Sequence, residues 1–398
     1  MTRTYIYLDH AATTPVRPEV VEAMRPYFSE SFGNPSSVHG QGRAARSALE
    51  EARARLAGAI GARRRDIVFT GGGTEADNLA VLGGWRRAAR AAREAGEPTP
   101  AISCSAVEHA AVLRSAEQAA AEGATMILLA VDGDGCVQMD AVIEALEARP
   151  AVMSVMWGNN EVGTLQPVHE IASRCVEAGV VFHSDAVQAL GKVRVRVDEC
   201  ACHLMSLSSH KIGGPQGVGA LYVRPGTEVD PVILGGGQEG GLRSGTHNVA
   251  GAVGMALAAE LAVQELDEEA HRVAGLRDRL ERALVETVEG LEVHGAGCTR
   301  LPHVLNVAIP GVEPDAALLA LDAEGLCVST GSACKSGSFK PSHVLAAMGR
   351  VATPGGAPEE LPAVIRFSIG HTTTEEEVAA VIERFPGAVE RLRELALA

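Results

Sequence analysis

Apolar runs of strand length alternate with helical patterns between residues 66 and 225, and this alternation constrains the fold most strongly. Strand, helix and strand in succession are typical of βαβ units, which build parallel sheets covered by helices on both faces. The pattern predicts four helices, at 74–95, 110–122, 139–149 and 168–178. It predicts seven strands, at 66–70, 101–105, 125–130, 152–157, 180–184, 204–208 and 219–223.

The alternation ends at a glycine-rich segment, residues 234–245. A long helical pattern then covers 250–289, and a terminal helix is predicted from Glu375 onward. Strands and helices mixed in this way predict a second unit of the α+β class. Its predicted strands are 306–309, 326–329 and 363–369.

The chain has 398 residues, which is enough for two domains and a large core. We predict an α/β protein whose large domain, residues 13–258, contains a mostly parallel seven-stranded sheet. Residues 1–12 and 259–398 are expected to form the smaller α+β domain together.

The charge balance argues against two classes of partner. Acidic residues outnumber basic residues, 50 against 35, and the formal charge is −15 at pH 7. This balance disfavours a surface for nucleic acid or for an anionic membrane. The amino terminus reaches a charge too early for a signal peptide, and no apolar run approaches the ~18 residues that span a bilayer. We therefore expect a cytoplasmic protein with no membrane partner and no direct nucleic-acid partner.

Eight cysteines are scattered along the chain, and none forms a CxxC pair. Cys200 and Cys202 lie beside His203, but no second ligand pair follows at the spacing of a zinc finger. We therefore expect no metal site. In a reducing compartment most of these thiols should be small buried side chains.

Lys211 is the first candidate for chemistry, in the segment SLSSHKIGGP at 206–215. It follows a mostly apolar run, so its amine can be desolvated, which lowers its pKa and makes it a nucleophile. Ser208, Ser209 and His210 beside it are short hydrogen-bond donors that suit a phosphate. A Schiff-base lysine next to phosphate donors suggests pyridoxal phosphate. The alternative is an ordinary solvated lysine.

A second candidate is the glycine-rich turn GGGTEADN at 71–78, which lies between a predicted strand and a predicted helix. Glycines allow a tight turn, and the N–H groups that open the helix then point at an anion. The turn matches neither GxGxxG nor GxxxxGK[ST], which disfavours a dinucleotide or P-loop site. An ordinary turn with no ligand remains the alternative.

Asp185 ends the predicted strand 180–184, at the edge where ligands bind in open α/β sheets. A carboxylate there can keep a pyridinium nitrogen protonated, so that the cofactor acts as an electron sink. A helix cap is the alternative role for this aspartate.

Two further candidates lie near the carboxyl terminus. Cys334 is surrounded by small residues with Lys335 adjacent, which indicates an exposed loop and favours the thiolate. It is either a nucleophile or an incidental exposed thiol. Arg366 lies inside the predicted strand 363–369, where a cation needs a partner. That partner is either a substrate carboxylate, bound bidentately, or an internal Asp or Glu.

Ordered motifs over nearly the whole chain resemble the cysteine desulfurases of the NifS/IscS type. These belong to the class V aminotransferase-like, fold-type I pyridoxal-phosphate enzymes. The motifs are YLDHAATTP at 7–15, FGNPS at 32–36, GGTEADN at 72–78, VEH at 107–109, NNEVG at 159–163, HSDAVQ at 183–188, SSHK at 208–211, RSGT at 243–246 and STGSAC at 329–334.

The resemblance implies a role for each residue that matches a motif. Lys211 binds the cofactor covalently and moves a proton at the substrate Cα, while His109 stacks on the cofactor ring and assists. Asn34 and Arg366 hold the substrate carboxylate, and Cys334 attacks the substrate sulfur. The implied ligands of pyridoxal 5'-phosphate are Gly73, Thr74, His109, Asn160, Asp185, Gln188, Ser208, His210, Lys211 and Thr246.

The implied reaction converts L-cysteine to L-alanine and leaves a persulfide on Cys334 for a sulfur-acceptor protein. It also implies a homodimer in which Thr246 reaches the site of the other subunit. A selenocysteine lyase on a similar scaffold is the nearest alternative, and an aminotransferase would leave Cys334 without a task. A sulfur carrier or scaffold protein with a vestigial cofactor site is the alternative from another class. The sequence does not distinguish iron–sulfur cluster assembly from thiolation pathways as the destination of the sulfur.

Overall fold

The computed structural model describes residues 5–330, 342–350 and 362–397, with side chains described as far as residue 395. All bounds below refer to these ranges. The strands are β1 (Ile6–Tyr7), β2 (Ile67–Thr70), β3 (Ile102–Ser105), β4 (Met126–Leu129), β5 (Val152–Ser154), β6 (Val181–Asp185), β7 (Leu204–Ser208), β8 (Gly219–Val223), β9 (Glu292–Val293), β10 (Val304–Ile309), β11 (Leu326–Cys327) and β12 (Ala363–Ser368).

The helices agree with the four predicted in the alternating region and add others around it. A π-helical segment, Leu79–Gly83, joins the helix Gly73–Asn78 to the helix Gly84–Ala95, so the predicted helix at 74–95 is continuous. The helices are α1 (Pro18–Met24), α2 (Pro26–Ser29), α3 (Gly40–Ile60), α4 (Gly73–Asn78), α5 (Gly84–Ala95), α6 (Ala110–Ala121), α7 (Met139–Glu147), α8 (Val168–Ala178), α9 (Val249–Gln264), α10 (Leu266–Thr287), α11 (Pro314–Ala323), α12 (His343–Ala347) and α13 (Glu375–Leu397).

The main sheet contains the predicted seven strands, and their order is β2-β8-β7-β6-β5-β3-β4. All neighbours are parallel except β8, which runs antiparallel to both β2 and β7. Successive residues of a strand face opposite sides of a sheet. In β7, Leu204 packs into one apolar cluster while Met205 and Leu207 pack into another. The sheet is therefore covered on both faces, and the α/β prediction is confirmed.

The carboxyl ends of three strands meet along one edge of this sheet. Strands β6 and β7 are parallel neighbours, and β2 runs in the same direction because β8 reverses between it and β7. The last residues of these strands are Thr70, Asp185 and Ser208. The predicted glycine turn and the lysine loop consequently begin at the same edge of the sheet, where the Asp185 carboxylate also lies.

A smaller group of strands has its own apolar cluster. Strands β12, β10 and β9 form an antiparallel sheet, and β1 pairs in parallel with β11 through Ile6 and Leu326. Leu8, Leu305 and Phe367 lie in this second core. The amino-terminal strand thus packs with the carboxyl-terminal third of the chain. The expected domain limits stay a prediction.

The long helical pattern at 250–289 is not one helix, and that part of the prediction is wrong. Helices α9 and α10 meet at an angle of 75°, with Glu265 at the junction. The Arg17 guanidinium donates to both carboxylate oxygens of Glu265, at 2.9 and 2.6 Å. The bend lets α9 pack on α3 while α10 packs on α13. Within the described ranges no single helix is both long and apolar enough to cross a membrane, and only this bent pair passes that test jointly.

Candidate active site

A cavity of about 420 Å³ opens at the carboxyl edge of the main sheet. It is bounded by the ends of β6 and β7, by the start of α4, and by β12 of the smaller sheet. Residues far apart in the sequence therefore meet in one space. The predicted site residues that line it are Gly73, Thr74, His109, Asn160, Asp185, Gln188, Ser208, His210, Lys211 and Arg366.

Two of the predicted site residues that the structure describes, Asn34 and Thr246, do not line this cavity. Asn34 is exposed, and its Oδ1 accepts the backbone N–H of Ser36 at 2.9 Å. Thr246 is exposed in the loop before α9. Cys334 lies outside the described residues. The roles of these three stay predictions.

Lys211 ends a 3₁₀ turn that directly follows β7. Its Nζ donates to the Ala11 carbonyl oxygen at 2.6 Å and also to the Ala12 carbonyl. Burial, helped by the positive charge of Arg366, lowers the pKa of the Lys211 amine to about 8. A substantial fraction of the amine is therefore neutral near physiological pH, as a nucleophilic amine must be.

Asp185 is buried, and its Oδ1 accepts the backbone N–H of Val187 at 2.9 Å. Burial raises the pKa of the Asp185 carboxyl, and the nearby His109 and Lys211 oppose that rise. Ligand atoms of Asp185, Asp77 and His109 lie within 4.8 Å of one another. The pKa of Asp77 is raised well above its usual range by burial and by the Asp185 charge. A cationic group beside these carboxylates would relieve their repulsion.

The glycine-rich turn follows β2 and opens α4. Gly72 has a φ of +152°, which glycine adopts far more readily than other residues. A Cβ on Gly73 would lie only 2.8 Å from the Val187 Cγ2. Glycine at this position therefore lets the backbone of the turn lie close to Val187. The open amino end of the helix, at Gly73 and Thr74, lines the same cavity as Ser208. We call this group the glycine cradle, and its backbone N–H groups suit a phosphate.

His210 adds a neutral donor to this cradle. Burial and the Lys211 charge lower the pKa of its imidazole to about 4. Its Nδ1 lies 3.1 Å from the Thr13 hydroxyl oxygen. A second cavity, of about 640 Å³, shares Gly73, Thr74, Ser208 and His210 with the first, so the cradle is continuous with a wider cleft.

Arg366 reaches the cavity from β12. Its guanidinium donates to the Asp9 carboxylate at 2.7 Å and to the Asn160 carbonyl oxygen at 2.9 Å. An internal acidic partner is therefore present, which was one of the two alternatives for this strand cation. Its Nε is buried without a hydrogen-bond partner among the described residues, so the guanidinium keeps an unused donor. Contact with a substrate carboxylate stays a prediction.

Two buried histidines support the cavity, and neither was singled out from the sequence. His183 lies two residues before Asp185 on the same face of β6, bonded to the Ser154 hydroxyl at 2.8 Å and to the Ser206 hydroxyl at 2.9 Å. Period-two spacing from Asp185 could have identified it. His303 lies 3.3 Å, through its Nε2, from the Gln188 Oε1. No local signal marks His303, because only tertiary packing brings it to Gln188.

These groups together suit a ligand with three features: an aldehyde for the amine, a cationic ring nitrogen for the carboxylates, and a phosphate for the glycine cradle.

Comparison with known proteins identifies the family. The model of the family "Aminotransferase class-V" matches residues 6–381. The chain is 44% identical to the cysteine desulfurase IscS of Dictyoglomus turgidum over 98% of this chain and 95% of that protein. It is 45% identical to the IscS-like cysteine desulfurase of Mycobacterium tuberculosis over 98% of each chain. A solved NifS-like protein superposes with a TM-score of 0.87 at 33% identity, covering 98% of this chain and 100% of the other. The chain therefore belongs to the class-V aminotransferase family and, within it, to the cysteine desulfurases of the IscS and NifS type.

Proposed function

We propose that this protein is a pyridoxal 5'-phosphate-dependent cysteine desulfurase, which releases L-alanine from L-cysteine and keeps the sulfur as a persulfide on Cys334. The observation that carries the proposal is the convergence of Lys211, with its lowered pKa, and Asp185 in the cavity with the glycine cradle. Relatives named cysteine desulfurase match the chain over almost its full length, which supports the same activity here.

The described residues fit the cofactor at each of its polar groups. The Lys211 amine would bind the aldehyde, and Asp185 would pair with the ring nitrogen. His109, at the start of α6, would stack on the ring, since its side chain already lines the cavity. Gln188 and Asn160 would lie near the phenolic oxygen. Thr74, Ser208, His210 and the backbone at Gly73 would hold the phosphate, with Thr246 contributed across a homodimer.

When bound, the cofactor supplies an electron sink that stabilises negative charge at the substrate Cα. The Lys211 amine, once free, is the base that removes the Cα proton and later returns it, because a pKa near neutrality allows both steps. Arg366, held by Asp9, would orient the substrate carboxylate.

Cys334 would receive the sulfur. The overall reaction joins L-cysteine and the Cys334 thiol to give L-alanine and the Cys334 persulfide, so the Cβ–S bond breaks and an S–S bond forms. No external oxidant is required, because the substrate Cβ is reduced while the sulfur is oxidised. The adjacent Lys335 favours the thiolate that this attack needs.

A sulfur-acceptor protein would then take the outer sulfur, and we place the enzyme in the cytoplasm. The acidic formal charge of −15 supports a protein or small-molecule acceptor over nucleic acid.

The test is incubation of the purified holoenzyme with L-cysteine, followed by alanine quantification and mass spectrometry of the cysteine-containing peptides. We expect alanine and one added sulfur on Cys334. Cys334→Ser should keep the visible cofactor spectrum and lose turnover, whereas the matched variant Cys327→Ser, on β11, should keep both.

Each other outcome points elsewhere. Alanine without sulfur on Cys334 would assign the nucleophile to another thiol. Alanine from selenocysteine but not from cysteine would establish the lyase instead. No bound cofactor and no alanine from either amino acid would favour the carrier protein.

A further inference from the structure

Two loops from different sheets are joined away from the active-site cavity. The first, residues 131–137, follows β4 and closes a tight turn, and the second, residues 294–300, connects β9 to β10. The backbone N–H of Gly297 donates to the Asp134 Oδ1 at 3.1 Å. Two further hydrogen bonds hold the first loop. The Thr164 hydroxyl donates to the Asp134 carbonyl oxygen at 2.6 Å, and the Gln166 side-chain amide donates to the Gly135 carbonyl oxygen at 2.7 Å.

These loops bring together three side chains that can ligate a metal. One carboxylate oxygen of Asp132 and the sulfur atoms of Cys136 and Cys298 all lie within 4.8 Å of one another. Both cysteines are free thiols and half-buried, while Asp132 is exposed, so the group is reachable from solvent. None of the three lines the active-site cavity. The mechanism proposed above uses none of them.

The hydrogen bonds of the turn orient the carboxylate. The Asp132 Oδ1 accepts the backbone N–H groups of Asp134 and Cys136, each at 2.9 Å. This fixes Asp132 and the backbone of Cys136 relative to each other. Fixing ligands through hydrogen bonds outside the ligand set is how proteins preorganise metal sites.

The charge at the site favours a cation. The carboxylates of Asp132 and Asp134 belong to the turn that carries Cys136, and the Asp134 Oδ1 also contacts the loop that carries Cys298. These negative charges would attract a dication, whose binding would displace the protons of the two thiols.

We propose that Asp132, Cys136 and Cys298 bind a thiophilic divalent cation of the Zn²⁺ class, with the fourth position open to water. Two sulfur ligands select this class over Mg²⁺ or Ca²⁺, which prefer oxygen. Tetrahedral Zn²⁺ places its sulfur and oxygen ligands roughly 3.5–3.8 Å apart. The three ligand atoms lie within 4.8 Å of one another, so small side-chain rotations would bring them to these separations. Binding one cation releases the two thiol protons.

The ion would connect a loop of the main sheet to a loop of the smaller sheet, so binding should stabilise the fold. No local motif marks this site, because its ligands come from two segments far apart in the chain and form no CxxC pair.

The experiment uses the reduced full-length holoenzyme and the metal alone. Cd²⁺ is titrated and followed by the ultraviolet absorption of cadmium–thiolate bonds, and Zn²⁺ competition then gives the Zn²⁺ affinity. Because Cys334 is also a thiol, the titration is run in a Cys334→Ser background. We expect one cadmium per chain, loss of the thiolate absorption in Cys136→Ser and in Cys298→Ser, and affinity about 10–100-fold weaker in Asp132→Asn. Cys327→Ser, a half-buried thiol outside the cluster, is the matched control and should bind normally.

Zn²⁺ should also raise the thermal unfolding temperature of the parent protein, and should not do so in Cys298→Ser. Unchanged cofactor absorption in each variant shows that it is folded. The proposal is overturned if the parent shows no stoichiometric thiolate absorption, or if binding survives in both serine variants. It is equally overturned if Cys136 and Cys298, once reduced, form a disulfide with each other in the presence of the metal instead of binding it. None of these readouts depends on desulfurase activity, so the two proposals fail independently.

Discussion

Lys211 and Lys192 share the same lowered pKa in two different regions of the molecule. Burial lowers the pKa of each amine to about 8. Lys211 lines the active-site cavity together with Asp185 and the glycine cradle. Lys192 lies near Glu269, which raises its pKa, and near Arg17, which lowers it, and it lines neither the active-site cavity nor the wider cleft. A lowered lysine pKa therefore reports burial, and the neighbouring groups decide whether the amine has a substrate.

The largest effect should separate the two lysines. We expect Lys211→Met to lower alanine release by at least about 10³-fold, because Lys211 carries the only side-chain amine among the described residues that line the cavity. The matched substitution Lys192→Met removes an amine of similar pKa and should keep nearly full activity. Alanine release and visible absorption of both purified variants are the measurements. Equal losses in the two variants would mean that burial alone explains the result.

Asp185 tests why the Lys211 region is different. Asp185→Asn should lower kcat by about 100-fold, because a neutral amide cannot hold a protonated ring nitrogen. Asp198→Asn, at an exposed aspartate paired with Arg196, is the control and should change kcat little. Steady-state kinetics and the cofactor spectrum measure both. A normal kcat in Asp185→Asn would remove the proposed carboxylate–ring contact.

The pH dependence sharpens the comparison further. Only the neutral Lys211 amine can attack the aldehyde, so capture of pyridoxal phosphate by the apoprotein should accelerate as pH rises through the pKa of about 8. With that pKa, the neutral fraction rises about 50-fold between about pH 6 and about pH 8. Stopped-flow absorption measures the capture rate, and Lys192→Met should show the same profile. A changed profile in Lys192→Met would show that Lys192, and not Lys211, controls the pH dependence of capture.

His303 links the two regions, since its charge environment includes Lys192 while its Nε2 contacts Gln188. His303→Ala would leave the Gln188 Oε1 without this partner, and we expect cofactor affinity to fall about tenfold. His303→Gln, which can still donate a hydrogen bond, should recover part of the loss. Equilibrium dialysis and the position of the visible absorption band report the effect. A purely structural role would lower stability equally in both variants and leave the band unmoved.

The smallest effect concerns the stability of Lys192→Met. Replacing a buried charge by an apolar side chain of similar volume is often neutral or stabilising. We expect the free energy of unfolding to stay within about 1 kcal/mol of the parent or to rise. Urea unfolding followed by circular dichroism measures this. A large loss of stability would mean that Lys192 is more tightly paired with Glu269 than its surroundings indicate.

The parts of the fold that were predicted correctly have strong local patterns. Strands β7 and β8 match the predicted ranges 204–208 and 219–223, because each is a mostly apolar run with a clear end. Helix α3 was not predicted, since its buried face mixes large apolar side chains with small residues such as Ala45 and Ala52 and with Arg53, which weakens the apolar period. The pattern at 250–289 predicted one long helix, because nothing local distinguishes Glu265 from its neighbours. Its bend depends on the distant Arg17 and on which core each half contacts.

The candidate site divides in the same way. Lys211, Asp185 and the turn at Gly73 could be predicted, since each lies at or just after the end of a strand, and the carboxyl ends of parallel strands share an edge. The bond between His303 and Gln188 could not, because Gln188 follows β6 of the main sheet while His303 precedes β10 of the smaller sheet.

By itself, the sequence determined the α/β class, the seven-stranded sheet and the chemistry collected at its carboxyl edge. These follow from residue periodicity and from the direction of parallel strands, which are local properties. Only the tertiary structure decided that Arg366 meets Asp9, and that Cys136 and Cys298 approach each other from separate loops. Such contacts depend on how completed elements pack across long chain separations, and no local pattern encodes that packing.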